Sequence, residues 1–239
     1  MNAAWYEDGG LHSMNARNAF TLVELLIVVG LIGALSAFLL GGLGGGGKSA
    51  AQQSAQSALI GIITVARTKA LSTGQPSRVV VNIDATSSAV PARFLRYIAV
   101  QTQASAAWQT IMETYLPSGV YVVPGDFTSL PANLFLEDSG AWVRVDGSTP
   151  MRSTVLRSTQ ITTETINFGS AEKWVSFTIG AVGTTAQSGD LMLALGRERV
   201  PGSFTEGDSP VQLFNRENVR GVSLSSYGLT VSIDGRQSF

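Results

Sequence analysis

Residues 20–43 read FTLVELLIVVGLIGALSAFLLGGL, an almost unbroken apolar run with a single charged residue, Glu24. About 20 apolar residues in a helix are enough to cross the roughly 30 Å hydrocarbon core of a bilayer. We therefore predict a membrane-spanning helix over 20–43. An ionised side chain within a membrane costs about 2.5–3.5 kcal/mol on insertion scales, so we expect Glu24 to meet a cation.

The residues around this carboxylate form a recognisable signal. A short polar leader ends at Ala19, and Phe20-Thr21-Leu22-Val23-Glu24 then opens the apolar helix. This pattern resembles the amino-terminal signal of type IV prepilins and type II secretion pseudopilins. The resemblance implies that a membrane prepilin peptidase cuts between Ala19 and Phe20, and that the new amine of Phe20 is N-methylated. It also implies that Glu24 faces the Phe20 amine of a neighbouring subunit during filament assembly, which would give the buried carboxylate its partner.

The leader itself differs from the family pattern. Ala19 stands where the family usually has glycine, so we expect slower cleavage. Arg17 is the only Lys or Arg of the leader, and the positive-inside rule places it in the cytoplasm and everything after residue 43 outside. Met1 and Met14 are alternative starts. A secretory signal peptide or a plain membrane anchor is the ordinary alternative, but no A-x-A site followed by polar sequence closes the run.

The composition of the chain excludes several classes of protein. Of 239 residues 44% are hydrophobic and 14% charged, and the formal net charge is −1, which gives no overall attraction to nucleic acid. There are no cysteines, so disulfides and cysteine-ligated metal sites are excluded. Many major type IV pilins close a carboxy-terminal loop with a disulfide, and its exclusion here favours a pseudopilin or minor pilin.

A glycine-rich segment follows the apolar run. Residues 41–47 read GGLGGGG, and glycine is about 1 kcal/mol less favourable than alanine in a helix, so we predict a break that acts as a flexible joint. Residues 42–49 also match the P-loop pattern G-x-x-x-x-G-K-[ST]. That motif requires a buried strand before the glycines, whereas a membrane-length helix is predicted here, so nucleotide binding is not expected.

The helical pattern continues beyond the glycines. The polar residues that fall largely off the apolar stripe, and are therefore expected on the polar face of the helix, are Gln52, Gln53, Gln56, Arg67 and Lys69. Gly74-Gln75-Pro76 should end the helix. The apolar residues of the stripe recur every three or four positions: Ala51, Ala55, Ala58, Leu59, Ile62, Ile63, Ala66 and Ala70.

After Pro76 the pattern changes to short runs rich in β-branched and aromatic residues, which predict strands. The predicted strands are 78–83, 94–101, 108–115, 120–123, 165–168, 174–179, 191–195, 211–214, 219–225 and 229–233, with one more at 141–145 and a loop at 196–210. One helix followed by many antiparallel strands predicts an α+β fold, with the long amino-terminal helix packed on an antiparallel sheet in a pilin-like arrangement. The expected organisation is a leader at 1–19, a transmembrane helix at 20–43, a glycine joint and amphipathic helix at 44–74, and an extracytoplasmic β-rich domain at 75–239.

Three segments of this β-rich half extend the resemblance. They are LPSGV at 116–120, WVSFTIGAVGT at 174–184 and VRGVSLSSYGLTVSI at 219–233. They look like the globular domain of GspH/FimT-type pseudopilins. Most of their residues serve strands and turns, so they are less specific than the amino-terminal signal.

The sequence offers little for catalysis. His12 is the only histidine and lies in the leader, so the mature chain lacks Ser-His-Asp machinery and histidine metal sites. Glu137 and Asp138 are adjacent in a loop-like region and are interpreted as solvated carboxylates. Trp142 and Trp174 are interpreted as core residues.

A basic patch for DNA is also not predicted. Some FimT-type relatives serve in DNA uptake, and a DNA-binding pilin should carry an exposed cluster of cations. The arginines near the end of the chain are interpreted as solvated strand and loop positions: Arg197, Arg199, Arg216, Arg220 and Arg236.

The sequence therefore predicts a non-enzymatic minor pseudopilin with no cofactor, metal or catalytic residue. It is expected to be a single-pass protein of the inner membrane that assembles into a type II secretion pseudopilus or a type IV pilus-like filament. Its expected partners are other pilins or pseudopilins, the prepilin peptidase and the bilayer, with nucleic acid not expected. The alternative is a membrane-anchored pilin-like module that binds DNA or an exported substrate.

Overall fold

The structure is a computed structural model that describes residues 22–86, 92–128, 130–136, 142–147, 149–200, 202–205 and 207–239, with side chains in the helix from residue 47 onward. Helix α1 spans Leu22–Thr73, a length of 52 residues. Gly74 follows it with a φ of 63°. Glycine adopts this left-handed conformation without strain, and helices commonly end at such a residue. The predicted helix end is therefore confirmed.

The glycine-rich segment is helical, and the predicted break at 41–47 is wrong for the backbone, because α1 passes through these residues without interruption. Each glycine disfavours the helix by only about 1 kcal/mol, and helix formation is cooperative, so helical residues on both sides can offset that cost. Residues 42–49 thus lie inside a helix and lack the strand–loop–helix geometry of a P-loop.

The contacts between Cα atoms divide the chain into two units after Gly44, and the second unit is Gly45–Phe239. Among the residues described with their side chains, no helix combines the length and the apolar character needed to cross a membrane. The predicted span at 20–43 lies outside those residues and stays a prediction.

Ten strands follow α1 in the described part of the chain. Their bounds are β1 Ser77–Asn82, β2 Tyr97–Ala104, β3 Ala107–Tyr115, β4 Val120–Val122, β5 Ile161–Glu164, β6 Glu172–Ile179, β7 Gly189–Glu198, β8 Val211–Phe214, β9 Arg220–Leu224 and β10 Thr230–Asp234.

The strands form two antiparallel sheets where the sequence predicted one. The first sheet has the order β3-β2-β1-β6-β5, and the second has the order β10-β9-β7-β4 with β8 also paired to β7. Leu195 pairs with Val120 of β4 and with Phe214 of β8, so these two strands lie on opposite edges of β7. One helix with antiparallel sheets confirms the α+β class.

Most strand predictions are confirmed to within a few residues, but two predicted strands and the start of one predicted loop are wrong. The strand predicted at 165–168 lies earlier, at Ile161–Glu164, and Asn167 has a φ of 58° that ends any extended run. The segment predicted as a strand at 141–145 contains only a single bridge in its described residues, from Val143 to Pro150. The loop predicted from 196 begins later, because β7 continues to Glu198.

The main hydrophobic core contains residues of α1 and of both sheets. Ala51 and Ala58 are partly buried. The helix residues that are fully buried confirm the predicted stripe: Ala55, Leu59, Ile62, Ile63, Ala66 and Ala70. The expectation for two glutamines is wrong, because Gln52 and Gln56 are 0% and 5% exposed.

The centre of the first sheet is buried on both faces. All six residues of β1 are buried. Val79 and Val81 face the main core, whereas Val80 joins a second apolar cluster. Ile166 and Phe168, which the sequence placed in a strand, contribute to this second cluster and so cover the outer face of the sheet. Trp142 and Trp174 are both 0% exposed, which confirms their interpretation as core residues.

Candidate functional site

The residues of the predicted amino-terminal site are not described. Ala19 and Phe20 lie outside the described residues, and Glu24 lies within α1 but without a described side chain. Glu137 and Asp138 are also outside the described residues. The candidate site that the structure does describe is the contact of α1 with β9, β10 and the adjoining turns. We call it the helix junction and define it by Gln52, Gln56 and Arg67.

Gln56 is the centre of the helix junction. Its Nε2 donates to the carbonyl oxygen of Gly221 at 2.7 Å, to that of Ile233 at 3.0 Å and to Asp234 Oδ1 at 3.1 Å. Gly221 on β9 and Ile233 on β10 are a directly paired couple in the sheet. One buried amide thus joins the helix to both of the last two strands.

Gln52 lies one turn earlier on the same face of α1. Its Nε2 donates to the carbonyl oxygen of Asn218 at 2.7 Å, just before β9 begins. Its Oε1 is buried and has no hydrogen-bond partner among the described residues. Helix residues four apart lie on one face, so Gln52 and Gln56 act on neighbouring points of the same sheet edge.

Arg67 joins the helix to two turns further along the helix axis. Its Nε donates to the carbonyl oxygen of Gly183 at 3.3 Å. Gly183 and Gly228 have φ values of 77° and 69°, and an added Cβ on Gly228 would stand 2.3 Å from the Gly183 carbonyl oxygen. Both positions favour glycine because both have a positive φ, and at Gly228 the backbone of the other turn also leaves no room for a side chain.

A second polar arrangement lies on the first sheet. Arg78 of β1 makes a bidentate pair with Glu164 of β5, through Nη1 to Oε1 at 3.1 Å and Nη2 to Oε2 at 2.5 Å. The guanidinium also lies 4.4 Å from the centroid of Trp108. Burial raises the pKa of Glu164, but the hydrogen bonds and charge of Arg78 lower it by more, so the net pKa is below the usual glutamate value.

A third polar arrangement lies next to the second, because Glu172 of β6 pairs directly with Glu164 of β5. Arg93 Nη1 lies 2.5 Å from Glu172 Oε1, and Asn82 Nδ2 donates to the other carboxylate oxygen at 2.7 Å. The Arg93 guanidinium lies 3.7 Å from the centroid of Phe168. Glu172 is only 2% exposed, so its charge is stabilised by these donors rather than by water.

Tyr97 and Glu113 form a short hydrogen bond across β2 and β3. The Tyr97 hydroxyl donates to Glu113 Oε2 at 2.5 Å, and Asn167 Nδ2 donates to the same oxygen at 2.5 Å. Burial and the neighbouring carboxylate raise the pKa of Tyr97 well above its usual value. The hydrogen bonds from Tyr97 and Asn167 lower the pKa of Glu113.

Among the arginines near the end of the chain, Arg197 is exposed on β7, as the sequence indicated. The other four lie close to carboxylates rather than being freely solvated, which corrects their interpretation from sequence. Arg236 lies 2.6 Å from Glu217, Arg216 lies 3.3 Å from the same carboxylate, and Arg220 lies 3.7 Å from Asp234. Arg199 lies 3.7 Å from Asp208, and Arg197 donates to Gln212 at 3.0 Å. For the four arginines other than Arg197, the nearby carboxylate partly cancels the field that the cation would offer to a phosphate.

The helix junction and the polar arrangements on the first sheet hold side chains and strands in position. In the described part of the chain, no group of three or more His, Asp or Glu residues is arranged to hold a metal ion. The sequence could not reveal the glutamines of the helix junction as buried contacts. The one local signal for their burial is their position on the helix, because Gln52 and Gln56 lie next to the stripe residues Ala55 and Leu59.

No protein-family model matches the chain. No curated protein matches it either. A solved structure of the minor pseudopilin EpsH from the type 2 secretion system of Vibrio cholerae is similar, with 15% identity over 79% of this chain and 99% of that chain and a TM-score of 0.38. A crystal structure of the same minor pseudopilin has 16% identity over 77% of this chain and 95% of that chain, with a TM-score of 0.35.

Proposed function

We propose that the chain is a minor pseudopilin, a structural subunit of a type II secretion pseudopilus or a type IV pilus-like filament. The observation that carries the proposal is the single helix Leu22–Thr73, which contains most of the apolar run with Glu24 and ends in a segment buried in the core of the β domain. The resemblance of residues 19–29 to a prepilin signal adds to this support. A subunit that polymerises through its helix needs a helix firmly joined to the domain that it carries.

In this proposal the amino-terminal residues have defined roles. Prepilin peptidase cuts between Ala19 and Phe20, and the amine of Phe20 is N-methylated. The helix remains in the inner membrane with the β domain on the extracytoplasmic side until the subunit is incorporated. Glu24 then pairs with the terminal amine of an adjacent pilin or pseudopilin, because a carboxylate among apolar helices requires a cation close by.

The helix junction has a mechanical role in the same proposal. Gln52, Gln56 and Arg67 tie one face of α1 to the backbone of β9, β10 and the adjoining turns. Hydrogen bonds to main-chain carbonyls fix the rotation of the helix about its axis as well as its position. A force applied to the helix during assembly is thereby passed to the sheet.

The assembly role of Glu24 can be tested in the host organism. We expect Glu24→Ala to reduce incorporation into sheared filaments at least tenfold while the membrane-bound amount, measured by immunoblot, is unchanged. Glu24→Asp keeps the charge and should retain part of the incorporation. Wild-type incorporation of Glu24→Ala would contradict the proposal.

A further inference from the structure

A pocket of about 530 Å³ lies in the segment between β4 and β5. It is lined by residues 126–127 and 130–136 and by Arg152. Pockets of about 300–1,000 Å³ are the size that small molecules occupy. None of the roles proposed above uses this pocket.

Main-chain hydrogen bonds hold one wall of the pocket in place. The amide of Leu136 donates to the carbonyl of Leu213 at 2.8 Å, and the amide of Leu213 donates to the carbonyl of Leu134 at 2.7 Å. The amide of Ser209 donates to the carbonyl of Ala132 at 2.8 Å. The wall therefore runs along β8 and its preceding turn as a fixed element, so the pocket is formed before any ligand arrives.

The floor of the pocket is apolar, and its rim carries both an apolar side chain and a carboxylate. Phe127 and Leu134 are 5% and 2% exposed and belong to the main core. Leu130 is partly buried, and Leu136 is 50% exposed. The pocket therefore offers apolar surface at its base and an apolar side chain at its rim, with Asp126 as an exposed carboxylate beside it.

Arg152 is the cation of the pocket. Its guanidinium lies 4.3 Å from the centroid of Phe135, and its Nη1 donates to the carbonyl oxygen of Met151 at 2.8 Å. Its Nε is buried and has no hydrogen-bond partner among the described residues. Burial lowers the pKa of Arg152, and the charge of Asp126 opposes this shift.

Arg152 differs from four other shielded arginines in the described part of the chain. Arg78, Arg93, Arg96 and Arg144 each have a carboxylate oxygen at 2.5–3.3 Å. For Arg152 the described residues supply no carboxylate within 4 Å. A shielded cation gains most from an anion that it binds directly, because charge-assisted hydrogen bonds are strong where water is scarce. An anion that carries apolar atoms is therefore the ligand that best fits this cation and its apolar surroundings.

We propose that this pocket binds a carboxylate joined to an apolar group, with the carboxylate on the Arg152 guanidinium and the apolar group over Leu130, Phe135 and Leu136. Two sources share this chemistry: the carboxy-terminal residue of a polypeptide and a free aliphatic acid. A phosphate dianion fits less well, because Asp126 at the rim repels a second negative charge. The proposal is independent of the filament role.

The test uses the full-length chain in a nonionic detergent, with detergent alone as the blank. The probes are N-acetyl-Ala-Leu with a free carboxylate, the same dipeptide as its carboxy-terminal amide, and 4-methylpentanoate. Saturation-transfer NMR on the probes detects binding, and calorimetry measures affinity. We expect saturable binding of the free acid and at least tenfold weaker binding of the amide.

Variants assign the effect to the pocket. Arg152→Gln should abolish the preference for acid over amide, whereas Arg157→Gln, which removes an exposed charge outside the pocket lining, should keep it. Leu136→Glu places a carboxylate at a half-exposed rim position and should abolish binding without unfolding the domain. If circular dichroism shows that Arg152→Gln does not fold, the proposal is tested by Leu136→Glu and by the comparison of acid and amide on the wild type.

Two results would overturn the proposal. One is the absence of saturable binding by both acidic probes, and the other is equal affinity of the wild type for acid and amide. Tighter binding of the dipeptide than of 4-methylpentanoate identifies a polypeptide terminus as the source, and the reverse order identifies a free acid.

Discussion

The amide of Gln56 on α1 donates to the carbonyl oxygen of Gly221 on β9 at 2.7 Å, in a part of the core where Gln56 is only 5% exposed. A buried amide without partners would destabilise the fold, and here its Nε2 is shared among three oxygen acceptors. The contact therefore fixes the register of the helix on the sheet, which apolar packing alone specifies less strictly.

Replacing this amide should be costly. We expect Gln56→Ala to lower the free energy of unfolding by about 1–3 kcal/mol, because buried acceptors lose their donor. Urea unfolding of the full-length chain in detergent, followed by tryptophan fluorescence, measures this change. Gln53→Ala removes an exposed glutamine from the same helix and should change stability by less than about 0.5 kcal/mol. Equal effects of the two variants would show that the junction does not depend on Gln56.

Two glycines should respond in opposite directions to a methyl group. An added Cβ on Gly221 would stand 2.3 Å from the backbone oxygen of Leu191, whereas one on Gly61 in α1 would have nothing within 4 Å. We expect Gly221→Ala to destabilise the protein by about 1–3 kcal/mol. Gly61→Ala should stabilise it by about 0.5–1 kcal/mol, because alanine favours the helix. Thermal unfolding of both variants measures the effects, and a stabilised Gly221→Ala would contradict the observed close packing of β9 on β7.

The pair of Arg78 and Glu164 should make stability depend on acid. The pKa of Glu164 is lower in the folded state than in the unfolded state. The ionised carboxylate therefore adds to the free energy of unfolding above its unfolded pKa of about 4.3, and this stabilisation is lost as the pH falls through the folded pKa. At neutral pH we expect Glu164→Gln to be about 1–2 kcal/mol less stable than the wild type. Urea unfolding at neutral pH and at about pH 3 should show a smaller acid-induced loss in Glu164→Gln than in the wild type. An identical loss of stability in the two proteins would show that the pair of Arg78 and Glu164 does not control the stability at low pH.

Tyr121 should make stability depend on alkali. Burial and the charge of Glu198 raise the pKa of Tyr121 to about 12. The stabilisation of the fold by the neutral Tyr121 hydroxyl is therefore complete below the unfolded pKa of about 10. It is lost as the pH rises toward the folded-state pKa. We expect Tyr121→Phe to lose less stability than the wild type between about pH 9 and 11. Tyr227→Phe changes a side chain that is 69% exposed and serves as the matched control, which should follow the wild type.

Local patterns in the sequence predicted much of this fold. The stripe from Ala55 to Ala70 is periodic, so burial of one helix face follows from spacing alone. Gly74 marks the helix end because one residue with a left-handed backbone conformation is enough to end a helix. Strands such as β1 and β6 are short continuous runs of β-formers, and their existence needs no knowledge of their neighbours.

The features that depend on distant residues could not be predicted. β1 lies between β2 and β6, and no local pattern indicates that Val79 pairs with both Val100 and Phe177. Gln56 has the polarity of a surface residue, and only the carbonyls of β9 and β10 explain its burial. Phe168 has the composition of a strand residue but covers the outer face of the first sheet, where it lies beside Arg93.

The central claim is that the chain is processed and assembled as a pilin-like subunit, and the mature amino terminus tests it most directly. Mass spectrometry of the protein purified from its host should find a chain that begins at Phe20 and carries one methyl group on its terminal nitrogen. A mature protein that still begins at Met1 or Met14 would contradict the account.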